Sequence, residues 1–117
     1  MADEVQVSLR GTAPLIALDI RGEVTTFADE AITSAYQAAT QQGARYILFN
    51  FAAVDYINSS GISIIIGLLG EAREAEQGLM ITGLTPHYRK IFDMMGLSRH
   101  AAVFDTEQDA RRSLATN

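Results

Sequence analysis

Residues 45–51 read RYILFNF, a short, β-rich and nearly continuous apolar run. A strand covered on both faces loses the usual apolar–polar alternation and looks like this, so Arg45 to Phe51 is expected to be a central strand. Upstream of it, Thr26 can cap a helix with Asp29 three residues on. Phe27, Ala31, Ile32, Ala35 and Ala39 then recur at helical spacing, and Gly43 ends the helix. Downstream, a second helix begins near Asn58-Ser59-Ser60 and stops by Gly78, and Leu79 to Thr82 reads as another buried strand. Thr85-Pro86 opens a third helix, with proline at the first helical position, and Gly96 closes it. Ala102 to Asp105 gives a last strand, and Thr106 followed by Asp109 caps a closing helix that ends near Leu114.

At the other end of the chain the grammar is different. Val5, Val7 and Leu9 alternate with Gln6, Ser8 and Arg10, the period of a half-buried strand. Gly11-Thr12-Ala13-Pro14 makes a turn, and Leu15 to Ile20 forms the second arm of an antiparallel hairpin. The order is therefore ββαβαβαβα. Strands alternating with helices imply an α/β fold with right-handed crossovers and a mixed, mostly parallel sheet, its first strand antiparallel at or near an edge.

Composition removes several function classes. With 117 residues, no linker and no low-complexity stretch, positions 1–117 read as one domain. The absence of cysteine excludes a disulfide scaffold, a Cys-ligated metal and a thiol nucleophile. A net charge of −5 argues against a nucleic-acid partner, which would need a basic patch to neutralise phosphates. Met1-Ala2-Asp3-Glu4 lacks the basic start of a leader. The apolar run Ile62 to Leu69 is far shorter than the roughly 20 residues that span a bilayer. A soluble, cytoplasmic protein without membrane insertion is expected. His87 and His100 have no clustered carboxylates for a metal site, and the nucleotide-cradling and nucleophile-elbow motifs are missing. No cofactor, metal or catalytic residue is expected.

The informative segment is Asp55-Tyr56-Ile57-Asn58-Ser59-Ser60-Gly61. One helix cap needs one small polar residue, and here three precede Gly61; the plain alternative is that Asn58 and Ser59 cap the helix and Ser60 faces water. The free N–H groups and positive dipole end of a helix start favour an anion. A phosphoryl group on Ser59 would add about −1.5 to −2 charges and three acceptor oxygens there. In the helix that follows, Ile62, Ile65, Ile66, Leu69 and Ala72 are expected to face the sheet, with Ile64 and Leu68 on an exposed flank. Ser63, Gly67 and Gly70 form a strip of small residues. Asp19, Glu23, Asp29 and Asp55 read as ordinary solvated carboxylates in preference to an acidic rim near the strand ends, and Met94-Met95 as core plus a helix end.

Taken together these stretches resemble the STAS domain, in particular the small anti-sigma factor antagonists of bacteria. Asn58-Ser59-Ser60-Gly61 is similar to that family's Asp-Ser-Ser-Gly phosphorylation motif. Arg21-Gly22-Glu23-Val24 resembles the Gly-Glu-Leu-Asp segment before its first helix. Leu84-Thr85-Pro86 with Ile91-Phe92-Asp93-Met94-Met95-Gly96-Leu97 resembles its third-helix signature, and Phe104 to Ala110 its closing strand and helix. The resemblance implies a STAS fold and a partner-switching role. Such an antagonist binds an anti-sigma factor that is also a serine kinase, is released when that kinase phosphorylates it, and is reset by a PP2C-type phosphatase. The acceptor then falls on Ser59, the motif on Asn58, Ser60 and Gly61, and the partner surface on Asp55, Ile57, Ser63, Ile64, Gly67 and Leu68. Two positions depart from the pattern: Asn58 stands where the family has Asp, and Thr25 where it often has Asp. The alternative is a non-switching STAS scaffold, or a small subunit of a signalling assembly or lipid ABC transporter.

Overall fold

The structure, a computed structural model, describes residues 5–115; the Met1–Glu4 stretch behind the leader expectation lies outside the described residues. Five strands form one sheet in the order β1-β2-β3-β4-β5. They are β1 (Gln6–Arg10), β2 (Leu15–Val24), β3 (Tyr46–Ile57), β4 (Gly78–Thr82) and β5 (Ala102–Phe104). The helices are α1 (Asp29–Gln41), α2 (Ser59–Glu74), α3 (Pro86–Met94) and α4 (Glu107–Ala115), with 3-10 turns at Thr26–Ala28 and Leu97–Arg99. The order is the ββαβαβαβα of the sequence reading. β1 lies antiparallel to β2 at the edge, and the remaining neighbours are parallel.

The larger core lies on one face. Ile16, Leu18 and Ile20 of β2, Ile47, Phe49 and Phe51 of β3, and Leu79 and Ile81 of β4 pack there beneath α1, α2 and α3. Phe51 stands edge-to-face with Phe49 at 6.4 Å and with Phe92 of α3 at 6.2 Å. On the opposite face Leu15, Ala17, Leu48 and Met80 are covered by α4 through Ala110, with Leu114 alongside.

Two strands run further than expected. β2 continues to Val24 rather than Ile20, and β3 to Ile57 rather than Phe51. The reason is that short α4 leaves this end of its face bare. Asp19, Arg21 and Glu23 pair there with Asn50, Ala53 and Tyr56. Polar and small residues suffice on an uncovered face, so the apolar signal stops while the strand does not. Asp19 and Arg21 of β2 and Asn50, Ala52 and Ala53 of β3 line, together with β1, an open depression of about 770 Å³.

α4 is tied to the sheet by charge. Arg10 of β1 donates to both carboxylate oxygens of Asp19 at 2.7 and 2.8 Å, and to both of Glu107 at 2.8 and 2.7 Å. Arg111 adds a further bond to Glu107 at 2.8 Å. The hydrogen bonds from Arg10 hold the Asp19 carboxyl below its usual range and that of Glu107 down to about 2. Asp19 is thus an ion-pair partner rather than a merely solvated carboxylate.

Phe27 and the two methionines of α3 and its end lie elsewhere than expected. Phe27 is 90% exposed because residues 26–28 form a 3-10 turn, capped by Thr25 rather than Thr26, which rotates it off the face of α1. Met94 and Met95 are exposed because α3 already fills its core contact with Phe92.

Candidate functional site

β3 passes into α2 with almost no loop. Ile57 is the last strand residue, Asn58 the cap and Ser59 the first residue of the helix. The Asn58 N–H donates to the carbonyl of Val24 at 3.2 Å, continuing the pairing with β2. Its side-chain Oδ1 accepts from the Gly61 N–H at 2.9 Å. This is the work expected of an N-cap, and asparagine performs it as well as aspartate.

Gly61 has a separate reason. A Cβ at this position would stand 2.0 Å from the Val24 carbonyl oxygen, so α2 sits on the end of β2 only because no side chain intervenes. The close approach anchors the start of the helix, and Ser59 and Ser60 project from it into solvent. Because Asn58 makes the cap, the Ser59 hydroxyl has no bonding partner among the described residues. The Ser63 hydroxyl donates to the Ser59 carbonyl at 3.1 Å, one turn along. The first turn of α2 contains no carboxylate, so the positive end of its dipole is not offset by a local acidic residue.

The buried side of α2 runs through Gly61, Ile62, Ile65, Leu68, Leu69 and Ala72. Leu68 is therefore a core residue rather than part of an exposed flank, and Ile66, expected inside, is 41% exposed. The contact of Gly61 with Val24 sets this rotation. Ile57 is likewise buried, since it pairs with Val24 and points into the core. Neither Ile57 nor Leu68 is available to a partner. Asp55, Ser63 and Gly67 are exposed and Ile64 is half-buried against the core. Nothing lies within 4 Å of where a Cβ would stand on Gly67 or Gly70, so no element of the described residues packs against that strip.

The sequence reading missed Tyr88, whose hydroxyl accepts the Ile57 N–H at 3.0 Å. It also missed Phe27 as an exposed aromatic in the turn that packs beside α2. Among the described residues no cluster of three or more potential metal ligands occurs, and no helix is long and apolar enough to cross a membrane.

Residues 6–110 match the STAS domain family, and the chain belongs to it. An anti-sigma F factor antagonist of Lysinibacillus sphaericus is 26% identical over 87 residues, covering 74% of this chain and 74% of that protein. An anti-sigma-B factor antagonist of Staphylococcus epidermidis is 24% identical over 78 residues, or 67% of this chain and 72% of the other. Among solved structures, the Bacillus anti-sigma factor antagonist SpoIIAA shares the fold in two states. Its unphosphorylated form matches with a TM-score of 0.74 at 19% identity, over 96% of this chain and 99% of that one. Its phosphorylated form matches with a TM-score of 0.72 at 23% identity, over 93% and 99%.

Proposed function

We propose that this protein is an anti-sigma factor antagonist that works by partner switching. Unmodified, it binds an anti-sigma factor across the start of α2. The serine-kinase activity of that partner then phosphorylates Ser59 and the complex separates, and a PP2C-type phosphatase restores the binding form.

The observation that carries this reading is the Ser59 hydroxyl: exposed, without a bonding partner among the described residues, and held on a strand-to-helix junction whose capping is done by another residue. The relatives' names, which describe proteins that act on another protein, support the same class. So does the existence of SpoIIAA in phosphorylated and unphosphorylated forms. The uncovered strip of Ser63, Gly67 and Gly70, with Ile66 beside it, offers a flat surface on which a partner backbone can approach closely.

The proposed switch is electrostatic. A phosphoryl dianion on Ser59 is tolerated by the free chain, because the adjacent helix start is electropositive and carries no competing carboxylate. Within an interface the same dianion has to shed its water or find cationic partners. An unpaired buried charge costs several kcal/mol. Since about 1.4 kcal/mol is tenfold in affinity, one phosphate can change occupancy by orders of magnitude with the fold unchanged.

Incubation with an anti-sigma factor kinase and Mg-ATP, followed by intact-mass measurement, tests the assignment. One phosphate is expected on the wild-type chain and none on Ser59→Ala. A kinase active on another substrate that leaves this chain unmodified would instead favour a non-switching scaffold or transporter subunit.

A further inference from the structure

β4 ends at Thr82, opposite Asn50, so from there to Ile57 the outer side of β3 has no neighbouring strand among the described residues. Its backbone groups must be satisfied in other ways, because an unpaired, partly buried N–H is costly. The Ala52 N–H is taken by the side chain of Asn50 at 3.0 Å. At the far end, the Ile57 N–H is taken by the hydroxyl of Tyr88 at 3.0 Å, a contact that reaches from α3 across 31 positions of sequence. Tyr88 is itself fixed. Its ring packs against the main core, and its own N–H is held by the capping hydroxyl of Thr85 at 3.3 Å, beside Pro86.

We infer that Tyr88 is a positioning residue for Ser59. The inference rests on the reading of Ser59 as the phosphoacceptor, and it adds a determinant outside the phosphorylation motif. The junction is held from two sides. Toward β2, the Asn58 N–H and the close packing of Gly61 grip Val24. Toward α3, the Tyr88 hydroxyl grips the peptide of Ile57, two residues before Ser59. Removing the second grip leaves the fold and the exposure of the serine intact but lets the junction, and Ser59 with it, swing about the β2 side. A misplacement of about 1 Å at a reacting hydroxyl can lower a transfer rate by as much as about a hundredfold.

Tyr88→Phe removes the hydroxyl and keeps the ring. Leu114→Ala, a large-to-small change on the sheet-facing side of α4 and remote from the site, serves as a variant destabilised elsewhere. Amide hydrogen exchange on the free protein is expected to quicken about tenfold at Ile57 in Tyr88→Phe, the change that corresponds to one ordinary hydrogen bond. The effect should extend through residues 58–61 and leave β1 and α4 at wild-type rates. With an anti-sigma factor kinase and Mg-ATP, Tyr88→Phe should show a kcat for Ser59 at least about fivefold lower at little-changed KM, whereas Leu114→Ala should match wild type. Wild-type kinetics in Tyr88→Phe would overturn the positioning role while leaving the phosphorylation assignment standing. Should wild type itself accept no phosphate, that assignment falls and exchange alone decides Tyr88. Quickening confined to residues 57–61 upholds its hold on the junction, and unchanged or uniformly quickened exchange overturns it.

Discussion

Replacing Gly61 by alanine sets two effects of opposite sign against each other. Alanine is the better helix former by about 1 kcal/mol, so a view of α2 as an isolated helix expects stabilisation. The structure expects the reverse. The new methyl would stand 2.0 Å from the Val24 carbonyl oxygen, 2.8 Å from its carbon and 2.9 Å from Val24 Cγ1, while ordinary contact begins near 3.4 Å. The obstacle is mostly backbone, so the helix start has to retreat by about 1.4 Å, the difference between 3.4 and 2.0 Å. Overpacking of this kind costs about 1–3 kcal/mol, and disturbing the Asn58 cap adds about 1 kcal/mol. After the gain in propensity, a net loss of about 2 kcal/mol is expected. Gly67→Ala and Gly70→Ala meet nothing within 4 Å and should each stabilise by about 0.5–1 kcal/mol. Urea unfolding of the three variants, fitted with a common slope, gives the comparison. If Gly61→Ala is as stable as wild type, or all three variants shift alike, the close approach of α2 to β2 is not what fixes the junction. On the proposed function, Gly67→Ala should weaken binding to the anti-sigma factor despite its gain in stability.

Three further outcomes follow from particular contacts. The Glu107 carboxyl, held near 2 by Arg10 against an ordinary 4.5, and that of Asp19, also lowered by Arg10, stabilise the fold above their unfolded values. That stability is lost as the pH falls from about 4.5 toward 2, and because the groups are partly exposed the cluster contributes on the order of 1 kcal/mol. Acid titration of Arg10→Gln by circular dichroism should therefore show a shallower loss over that window than wild type. Glu76, at φ 58 just past the end of α2, occupies a left-handed position suited to glycine, and Glu76→Gly should raise stability by about 0.5–1 kcal/mol in thermal unfolding. Phe92→Ala, which empties the fully buried contact of α3 with Phe51, should cost about 3–5 kcal/mol by denaturant titration.

How far the sequence could be read depended on where burial left a periodic signal. The hairpin showed in the alternation of Val5, Val7 and Leu9, and the central strand in the apolar run from Arg45 to Phe51. The far ends of β2 and β3 did not show, because one of their faces is bare and tolerates Arg21, Glu23 and Ala53. The helix after Ser59 is apolar around most of its circumference, so spacing alone could not choose between Ile66 and Leu68 for the core. That choice is made by the tertiary contact of Gly61 with Val24, which aligns Gly61, Ile65, Leu68 and Ala72 along the buried side. Within the site, the serines and the cap were legible as residue types at a helix start. Tyr88 was not, since what it holds is a backbone N–H distant in sequence, and no side-chain pattern records such a group.

Calorimetric titration of an anti-sigma factor with this chain, prepared once unmodified and once bearing phosphoserine at position 59, is the most direct measurement of the switch. Tight binding is expected of the unmodified form and an affinity lower by about a hundredfold or more of the phosphorylated one, corresponding to about 2.7 kcal/mol, with identical far-ultraviolet circular dichroism. Equal affinity of the two forms would contradict the switch.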